Sequence, residues 1–263
     1  MKIYQVDAFT QTRFKGNPAA VIILDEWLDA HLMQQIAQEN NLAETAFLKK
    51  ITVDRYQIRW FSPTHEVDFC GHATLASAFI LFKTGINQIT FDVKNLGQFF
   101  VTQELDGKIN MNFPSAALEP IETPPEIAQA FKQPFKQVYL SEQAYVVEYL
   151  TKEDLQAEQP DFAQLKAFGA KTHRDFVITT AGDANYDCYS RYFAPAIGIE
   201  EDPVTGSIHT VLVPFWANKL NKTVIHAYQA SKRGGELFCR IIDQKRVEIS
   251  GYGVLYLEGH LRA

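Results

Sequence analysis

Glu44 is the one charged residue in a short segment, 42–48, whose sequence LAETAFL is otherwise apolar or small. A carboxyl group in such surroundings can take a proton from a substrate carbon and return it within one turnover, which is general acid–base catalysis. The segment alone fits equally well a solvent-facing glutamate at the start of a strand. Glu44 is therefore a candidate acid/base whose role depends on partners elsewhere in the chain.

A second group of candidates lies at 68–74, where the sequence reads DFCGHAT. Gly71 lets the backbone at a helix start approach a ligand closely, and the free N–H groups of a first helical turn attract an anion. His72 lies in that turn and can donate to the anion or carry a proton near neutral pH; the alternative is that it only caps its helix. Cys70 would be a better thiolate at a helix N-terminus and hence a base toward a carbon acid. Free cysteines are commonly buried and inert, which is the interpretation we favour for Cys70.

The third group lies at 200–210, where the sequence reads EEDPVTGSIHT. Asp202 precedes a helix and could serve as its cap, but three acidic residues in a row exceed what capping requires. Ser207 offers a hydroxyl and a backbone N–H to a carboxylate, and Gly206 again permits close approach. His209 faces away from Ser207 on a helix, so we expect it to act only through a neighbouring residue.

Two of these groups follow a repeated phrase. Residues 59–63 read RWFSP and residues 191–195 read RYFAP, 132 positions later, and each copy runs into one of the two glycines, Gly71 or Gly206. Self-similarity at about half the chain length predicts two related lobes. Two glycine-opened helices brought face to face would aim backbone N–H groups at one small anion. A duplicated fold whose matching turns serve only packing is the alternative.

Composition and charge exclude several classes of protein. The chain has 263 residues, 46% of them hydrophobic, and a net charge of −6. The net negative charge argues against a nucleic-acid-binding protein, which would present a basic face. The N-terminus lacks the apolar core of a signal peptide, and apolar stretches are too short to cross a bilayer, so we expect no membrane partner. The cysteines at 70, 188 and 239 have neither disulfide nor zinc spacing, which favours a cytoplasmic protein.

Hydrophobic periodicity predicts an α+β protein of two lobes, each a mostly antiparallel sheet wrapped around one central helix. We predict an N-terminal lobe over 1–115 and a C-terminal lobe over 116–263, with the last strand able to pack on the first lobe. The predicted helices are 26–40, 73–82, 161–168 and 208–216. The predicted strands are 3–9, 19–24, 44–48, 51–61, 89–94, 98–105, 108–113, 137–149, 176–180, 223–228, 236–242, 246–250 and 253–257.

Taken together, the motifs resemble those of the PhzF-like phenazine-biosynthesis family. The matching segments run in order across essentially the whole chain: 16–21 (GNPAAV), 41–47 (NLAETAF), 59–63 (RWFSP), 66–74 (EVDFCGHAT), 201–207 (EDPVTGS) and 232–237 (KRGGEL).

The resemblance implies a diaminopimelate-epimerase-like fold of two pseudo-symmetric lobes with the active site in the cleft between them. It also implies a homodimer and proton-transfer chemistry that uses neither metal nor organic cofactor. By resemblance the glutamate at Glu44 is the acid/base, and the positions of His72, Asp202 and Ser207 line the substrate site, with backbone groups near Gly71 and Gly206.

One departure bears on the reaction type. Diaminopimelate epimerase uses two cysteines, one on each side of the stereocentre. Cys70 stands where the first would be, but no thiol lies beside Gly206. The sequence therefore favours proton transfer by one carboxylate over a two-thiol racemase.

We predict a cofactor-independent isomerase that moves a proton on a small carboxylic acid. Glu44 removes and returns the proton, and His72 and Asp202 orient the substrate or relay the proton. Gly71, Gly206 and Ser207 bind the anionic group. The alternatives are an epimerase that uses Cys70 with Glu44 or His72 as second base, and a non-catalytic metabolite- or protein-binding module on the same fold.

Overall fold

The computed structural model describes residues 1–262, which form two compact units. The first unit combines residues 1–112 with the segment from Glu248 onward, and the second is Phe113–Val247. The sequence-based division at 115/116 placed the whole C-terminal segment in the second lobe and allowed a return of the last strand alone. The segment from Glu248 lies in the first unit because the last strand of the chain pairs with the first.

The elements alternate between strands and helices along the whole described chain. The helices are α1 (Ala30–Asn40), α2 (Gly71–Phe82), α3 (Pro125–Ala130), α4 (Lys152–Ala157), α5 (Phe162–Thr172) and α6 (His209–Leu220), with a 3₁₀ turn at Pro195–Ile197. The strands are β1 (Lys2–Ala8), β2 (Asn17–Leu24), β3 (Glu44–Lys50), β4 (Arg55–Phe61), β5 (Glu66–Val67), β6 (Gln88–Val93), β7 (Gly97–Gln103), β8 (Ile109–Pro114), β9 (Glu119–Ile121), β10 (Phe135–Leu140), β11 (Ala144–Tyr149), β12 (Asp175–Ala181), β13 (Cys188–Ala194), β14 (Ile199–Asp202), β15 (Val224–Gln229), β16 (Gly235–Asp243), β17 (Arg246–Gly251) and β18 (Gly253–His260). None of the helices within residues 1–262 is long and apolar enough to cross a membrane.

In the first unit, strands pair in the order β18–β1–β2–β3–β4–β6–β7–β8. The pairs β2–β3 and β4–β6 are parallel and the others are antiparallel. Parallel neighbours require a crossover, which α1 and α2 supply. Every residue of α2 except Phe79 is buried. The sequence predicts a helix at 73–82 and one central helix in each lobe, and the central position of α2 is confirmed.

The second unit repeats this plan. Its strands pair in the order β9–β10–β11–β12–β13–β15–β16, with β11–β12 and β13–β15 parallel. The helices α4 and α5 connect the first parallel pair, and α6 connects the second. The predicted α+β class with one central helix in each lobe is confirmed, and the duplication extends from the five-residue phrase to the strand order.

The repeated phrase has the same structural role in both units. Arg59 donates from Nε and Nη2 to the two carboxylate oxygens of Glu66, at 2.6 and 2.7 Å. Arg191 makes the same two-fold contact with Glu201, at 2.7 and 3.2 Å. In both copies the guanidinium also lies over the ring of the phenylalanine two residues on, at 5.2 and 5.1 Å. Glu201 is therefore committed to an ion pair that supports the strand, which removes it from the acidic cluster considered for chemistry.

The helix predicted at 26–40 begins later in the structure. The side chain of Asp29 accepts the backbone N–H of His31 at 2.9 Å and so sets the first turn of α1. Trp27, which lies within the predicted range, packs against the apolar core from outside the helix. The predicted stop is confirmed, since Asn41 adopts a left-handed conformation with φ of 49°.

Candidate active site

Glu44 and His72 meet in the first unit. Glu44 is the first residue of β3 and His72 the second residue of α2, and glutamate Oε2 lies 3.0 Å from imidazole Nε2. The side chains are only 13% and 6% exposed. A carboxylate and an imidazole at hydrogen-bond distance in a nearly dry site can share or exchange one proton.

The other ring nitrogen of His72 has two neighbours. Nδ1 lies 3.1 Å from the amide Nδ2 of Asn17 and 3.4 Å from Sγ of Cys70. Asn17 is fully buried, and the turn that places it depends on Gly16, whose φ is +64° and where a Cβ atom would lie 2.1 Å from a backbone oxygen. Only glycine fits this position, so the Gly16-Asn17 pair fixes one side of the imidazole.

Burial shifts the pKa values of Cys70 and His72 in opposite directions, whereas the negative charge of Glu44 raises both. Burial raises the pKa of the Cys70 thiol to about 11, the negative charge of Glu44 adds to the rise and His72 opposes it. Burial alone lowers the pKa of His72, but Cys70 and Glu44 together outweigh burial and raise that pKa well above its ordinary value. Because the thiol stays protonated at neutral pH, the charged partner of His72 is Glu44.

We expect the substitution Glu44→Gln to lower the pKa of His72. Without the carboxylate, the desolvation of the imidazole is no longer outweighed by an opposite charge. The Cε1–H resonance of His72, followed by NMR between pH 4 and 9, measures the pKa directly. The exposed Glu39→Gln in α1 serves as control and should leave it unchanged. An unaltered His72 titration in Glu44→Gln would contradict the pairing.

The same group could hold a metal ion. The donor atoms of Glu44, Cys70 and His72 lie within 4.8 Å of one another, and zinc accepts oxygen, sulfur and nitrogen ligands. These atoms also contact one another through His72, so an ion would have to displace those contacts.

Gly71 opens α2 directly beside this group. The residue before it, Cys70, is extended and caps the helix with no side-chain hydrogen bond. The first N–H groups of a helix have no acceptor within the helix, so the turn that carries His72 presents donors suited to an anion. The predicted glycine-opened helix is confirmed as a structural element here.

In the second unit, Asp202 ends β14 and is buried. The Thr205 hydroxyl donates to its carboxylate. Gln229, which is fully buried, donates to the backbone oxygen of Asp202 at 2.8 Å and accepts the backbone N–H of Thr205 at 2.9 Å. These hydrogen bonds of the Gln229 side chain fix the loop that leads from β14 toward α6.

Gly206 and Ser207 precede α6 rather than belonging to it. A tight turn with bonds from His209 N–H to Gly206 oxygen and from Thr210 N–H to Ser207 oxygen, both 3.1 Å, runs into the helix. The predicted helix opening at Gly206 is thus a 3₁₀-type turn. The hydroxyl of Ser207 accepts from the side chain of Gln143 at 2.9 Å.

His209 is completely buried in the first turn of α6. Its Nδ1 lies 2.8 Å from the backbone oxygen of Thr205, and because a carbonyl oxygen only accepts, Nδ1 carries the proton and donates it. Its Nε2 has no hydrogen-bond partner in the described structure. Burial lowers the pKa of His209 to about 4. The imidazole is therefore neutral and supports the loop next to Asp202, in line with an indirect role.

We expect His209 to make the protein less stable in acid. The unfolded chain binds a proton near pH 6.5 that the folded chain binds only near pH 4, so stability is lost as the pH falls through this window. The shift corresponds to about 3 kcal/mol between pH 7 and 4. Urea unfolding at both pH values measures it. In His209→Asn, which keeps an amide donor near Nδ1, the loss should be smaller by this amount; an equal loss would contradict the assignment.

Sequence reasoning missed three amide side chains that position the candidates: Asn17, Gln143 and Gln229. The Gly16-Asn17-Pro18 turn could have pointed to Asn17, since such a turn fixes the following strand. The two glutamines lie in segments without any motif. Their roles depend on residues distant in sequence, and no local pattern reports them.

The sequence profile of the family described as phenazine biosynthesis-like protein, PhzC-PhzF, matches residues 6–259. The chain belongs to this family. An uncharacterized isomerase of Pseudomonas aeruginosa is 42% identical over 265 residues, which cover 100% of this chain and 98% of the relative.

Solved structures of other proteins support the family assignment and the fold. A PhzF-family phenazine biosynthesis protein of Enterococcus faecalis superposes with a TM-score of 0.92 at 39% identity, over 100% of this chain and 99% of that protein. A probable proline racemase of Agrobacterium radiobacter, 12% identical, shares the fold alone, with a TM-score of 0.65 over 99% and 92% of the two chains. The predicted family resemblance and the epimerase-like fold are confirmed, and the similarity to the isomerase of Pseudomonas aeruginosa supports an enzyme of the isomerase type.

Proposed function

We propose that this member of the PhzF-like family is a cofactor-independent isomerase that moves a proton on a small carboxylic acid. The contact of 3.0 Å between Glu44 and His72 in a nearly dry site is the observation that carries the proposal. A binding protein has no need for a desolvated carboxylate held against an imidazole, whereas a proton-transfer enzyme does.

Glu44 is the proposed acid/base. Its carboxylate takes a proton from a substrate carbon, and the resulting carboxylic acid returns that proton to another atom of the same molecule. His72 lies next to Glu44, and its raised pKa keeps a proton on the imidazole. We propose that this proton stabilises the negative charge that develops on the substrate. Asp202 relays a proton or orients the substrate.

The substrate anion is proposed to bind backbone and hydroxyl donors. Gly71 brings the free N–H groups at the start of α2. Gly206 and Ser207 supply a turn with a backbone N–H and a hydroxyl. Donors already in place at the anion need no rearrangement as the carbon loses its proton, which lowers the barrier.

Cys70 supports a second candidate, an epimerase. The thiol lies 3.4 Å from Nδ1 of His72 and, with its pKa near 11, would donate a proton more readily than accept one. In that mechanism Glu44 or His72 removes the proton and Cys70 delivers another. Cys70→Ala should then abolish inversion at a stereocentre, whereas the isomerase with Glu44 alone retains its activity.

The test is incubation of a metabolite extract with the protein in D₂O, followed by mass spectrometry. We expect one small carboxylic acid to gain deuterium or change isomer with the active protein and not with heat-inactivated protein. An extract in which no acid changes would overturn the proposed function.

A further inference from the structure

A chain of four side chains ends at the candidate substrate-binding hydroxyl of Ser207. It begins at Asp175 in β12, whose Oδ2 accepts the hydroxyl of Tyr192 in β13 at 2.6 Å. Gln143 then places its amide Nε2 2.8 Å from the Tyr192 oxygen and 2.9 Å from Oγ of Ser207.

The chain has only one consistent direction. The hydroxyl of Tyr192 donates to the Asp175 carboxyl group at 2.6 Å, so the proton of Tyr192 points at Asp175. The Tyr192 oxygen is then an acceptor toward Gln143. An amide nitrogen carries two hydrogens and no acceptor site, so Gln143 donates one hydrogen to Tyr192 and the other to Ser207.

The direction leaves Ser207 with an unused proton. Its oxygen accepts from Gln143, and within residues 1–262 its hydroxyl has no second hydrogen-bond partner. A serine hydroxyl that already accepts one strong bond completes its bonding by donating. A ligand group that binds this proton must offer an acceptor, such as a carboxylate oxygen.

Backbone and side-chain hydrogen bonds hold the backbone around Gln143 in place. Gln143 lies in the connection between β10 and β11, where Ser141 and Ala144 exchange three hydrogen bonds of 2.9 Å. The carbonyl of Gln143 also accepts the backbone N–H of Asp175 at 3.1 Å. Asp175 therefore contacts both ends of this arrangement: it binds the backbone carbonyl of Gln143 and accepts the hydroxyl of Tyr192.

We infer that Gln143, oriented by Tyr192 and Asp175, is a positioning residue that fixes the Ser207 hydroxyl as a donor to a carboxylate oxygen of the substrate. The inference rests on the proposed function in taking the ligand to be a carboxylate. In this arrangement Gln143 acts through Ser207: it occupies one of the two lone pairs of the serine oxygen and leaves the serine proton for the substrate. A substrate that offers only a hydrogen-bond donor at this place would leave the Ser207 proton without an acceptor and is disfavoured.

The test is a double-mutant cycle on the full-length protein with benzoate as the probe carboxylate. Benzoate binding is measured by NMR through the backbone amide resonances of residues 206 and 207. We expect Gln143→Met to weaken benzoate binding by about 5- to 10-fold, the effect of one net hydrogen bond. In Ser207→Ala the same change should weaken binding by less than about 2-fold, because the hydroxyl it orients is gone.

Two further variants sharpen the experiment. Tyr192→Phe, which is nearly isosteric, should follow the same non-additive pattern, so the test survives if Gln143→Met does not fold. Gln164 in α5 donates to Gln129 rather than to any of these four side chains, so Gln164→Met should leave benzoate binding unchanged. Equal losses in both backgrounds, or no benzoate binding to the wild type, would overturn the inference.

The outcome separates this inference from the proposed function. Non-additive benzoate binding with no exchange of carbon-bound protons would overturn the isomerase and leave the role of Gln143 standing. Proton exchange with additive effects of Gln143 and Ser207 would overturn the role of Gln143 alone.

Discussion

Replacing Glu44 with Gln is expected to slow exchange of the substrate's carbon-bound proton by about 10² to 10⁴-fold, the contribution of one general acid/base. The amide keeps the size of the side chain and a hydrogen bond to His72, but it cannot accept the proton. Glu44→Asp, which retracts the carboxylate by one methylene, should fall between the two because acid–base catalysis depends on reach. Deuterium incorporation from D₂O, timed by mass spectrometry on the acid identified in the extract, measures all three rates.

The matched control is Glu39→Gln, an exposed residue of α1 in the same unit. It removes one negative charge without touching His72 and should leave the exchange rate within about 2-fold of the wild type. Equal rates for the wild type and Glu44→Gln would remove Glu44 from the mechanism.

The second large effect is on stability. Arg191→Met is expected to lower the free energy of unfolding by about 3 kcal/mol. Its Nη1 donates to the backbone oxygens of Leu155 and Glu158 at 3.0 and 2.8 Å, in addition to the ion pair with Glu201, and its side chain is 12% exposed. Methionine fills the space but leaves a partly buried carboxylate and two carbonyls without their donor.

The duplication provides an internal control for this prediction. Arg59→Met removes the equivalent ion pair in the first unit, where Arg59 and Glu66 are 25% and 42% exposed. A more exposed pair should cost only about 1 kcal/mol. Urea unfolding of both variants at pH 7 measures the difference. Equal losses of unfolding free energy in the two variants would contradict a larger contribution from the buried Arg191 and its two backbone contacts.

The central pair of the candidate site could be predicted because each member carries a local signal. Glu44 is an isolated charge in an apolar segment, and His72 follows a glycine at the start of a helix. Their contact at 3.0 Å follows from β3 and α2 packing together, which no local pattern specifies. Gln143 could not be predicted, because a glutamine in a strand connection has many roles and its partners lie 32 to 64 residues away.

For the fold, too, local patterns predicted the elements but not the contacts between them. Alternating and helical periodicity located most strands and the two central helices, since those patterns report which face is buried. They do not report partners, and therefore neither the parallel pairing of β2 with β3 nor that of β11 with β12 was anticipated. Capping also sets the start of α1, because Asp29 caps the helix inside the predicted range 26–40.

The pairing of β18 with β1 has a consequence for synthesis of the protein on the ribosome. The second unit is one continuous stretch, Phe113–Val247, whereas the first closes only when β18 has been made. At typical synthesis rates the second unit takes roughly 10 s to emerge, and throughout this time one edge of β1 lacks its partner. An unpaired strand edge is a template for aggregation. We therefore expect the nascent first unit, rather than the second, to be the part of this protein that depends on protection by chaperones.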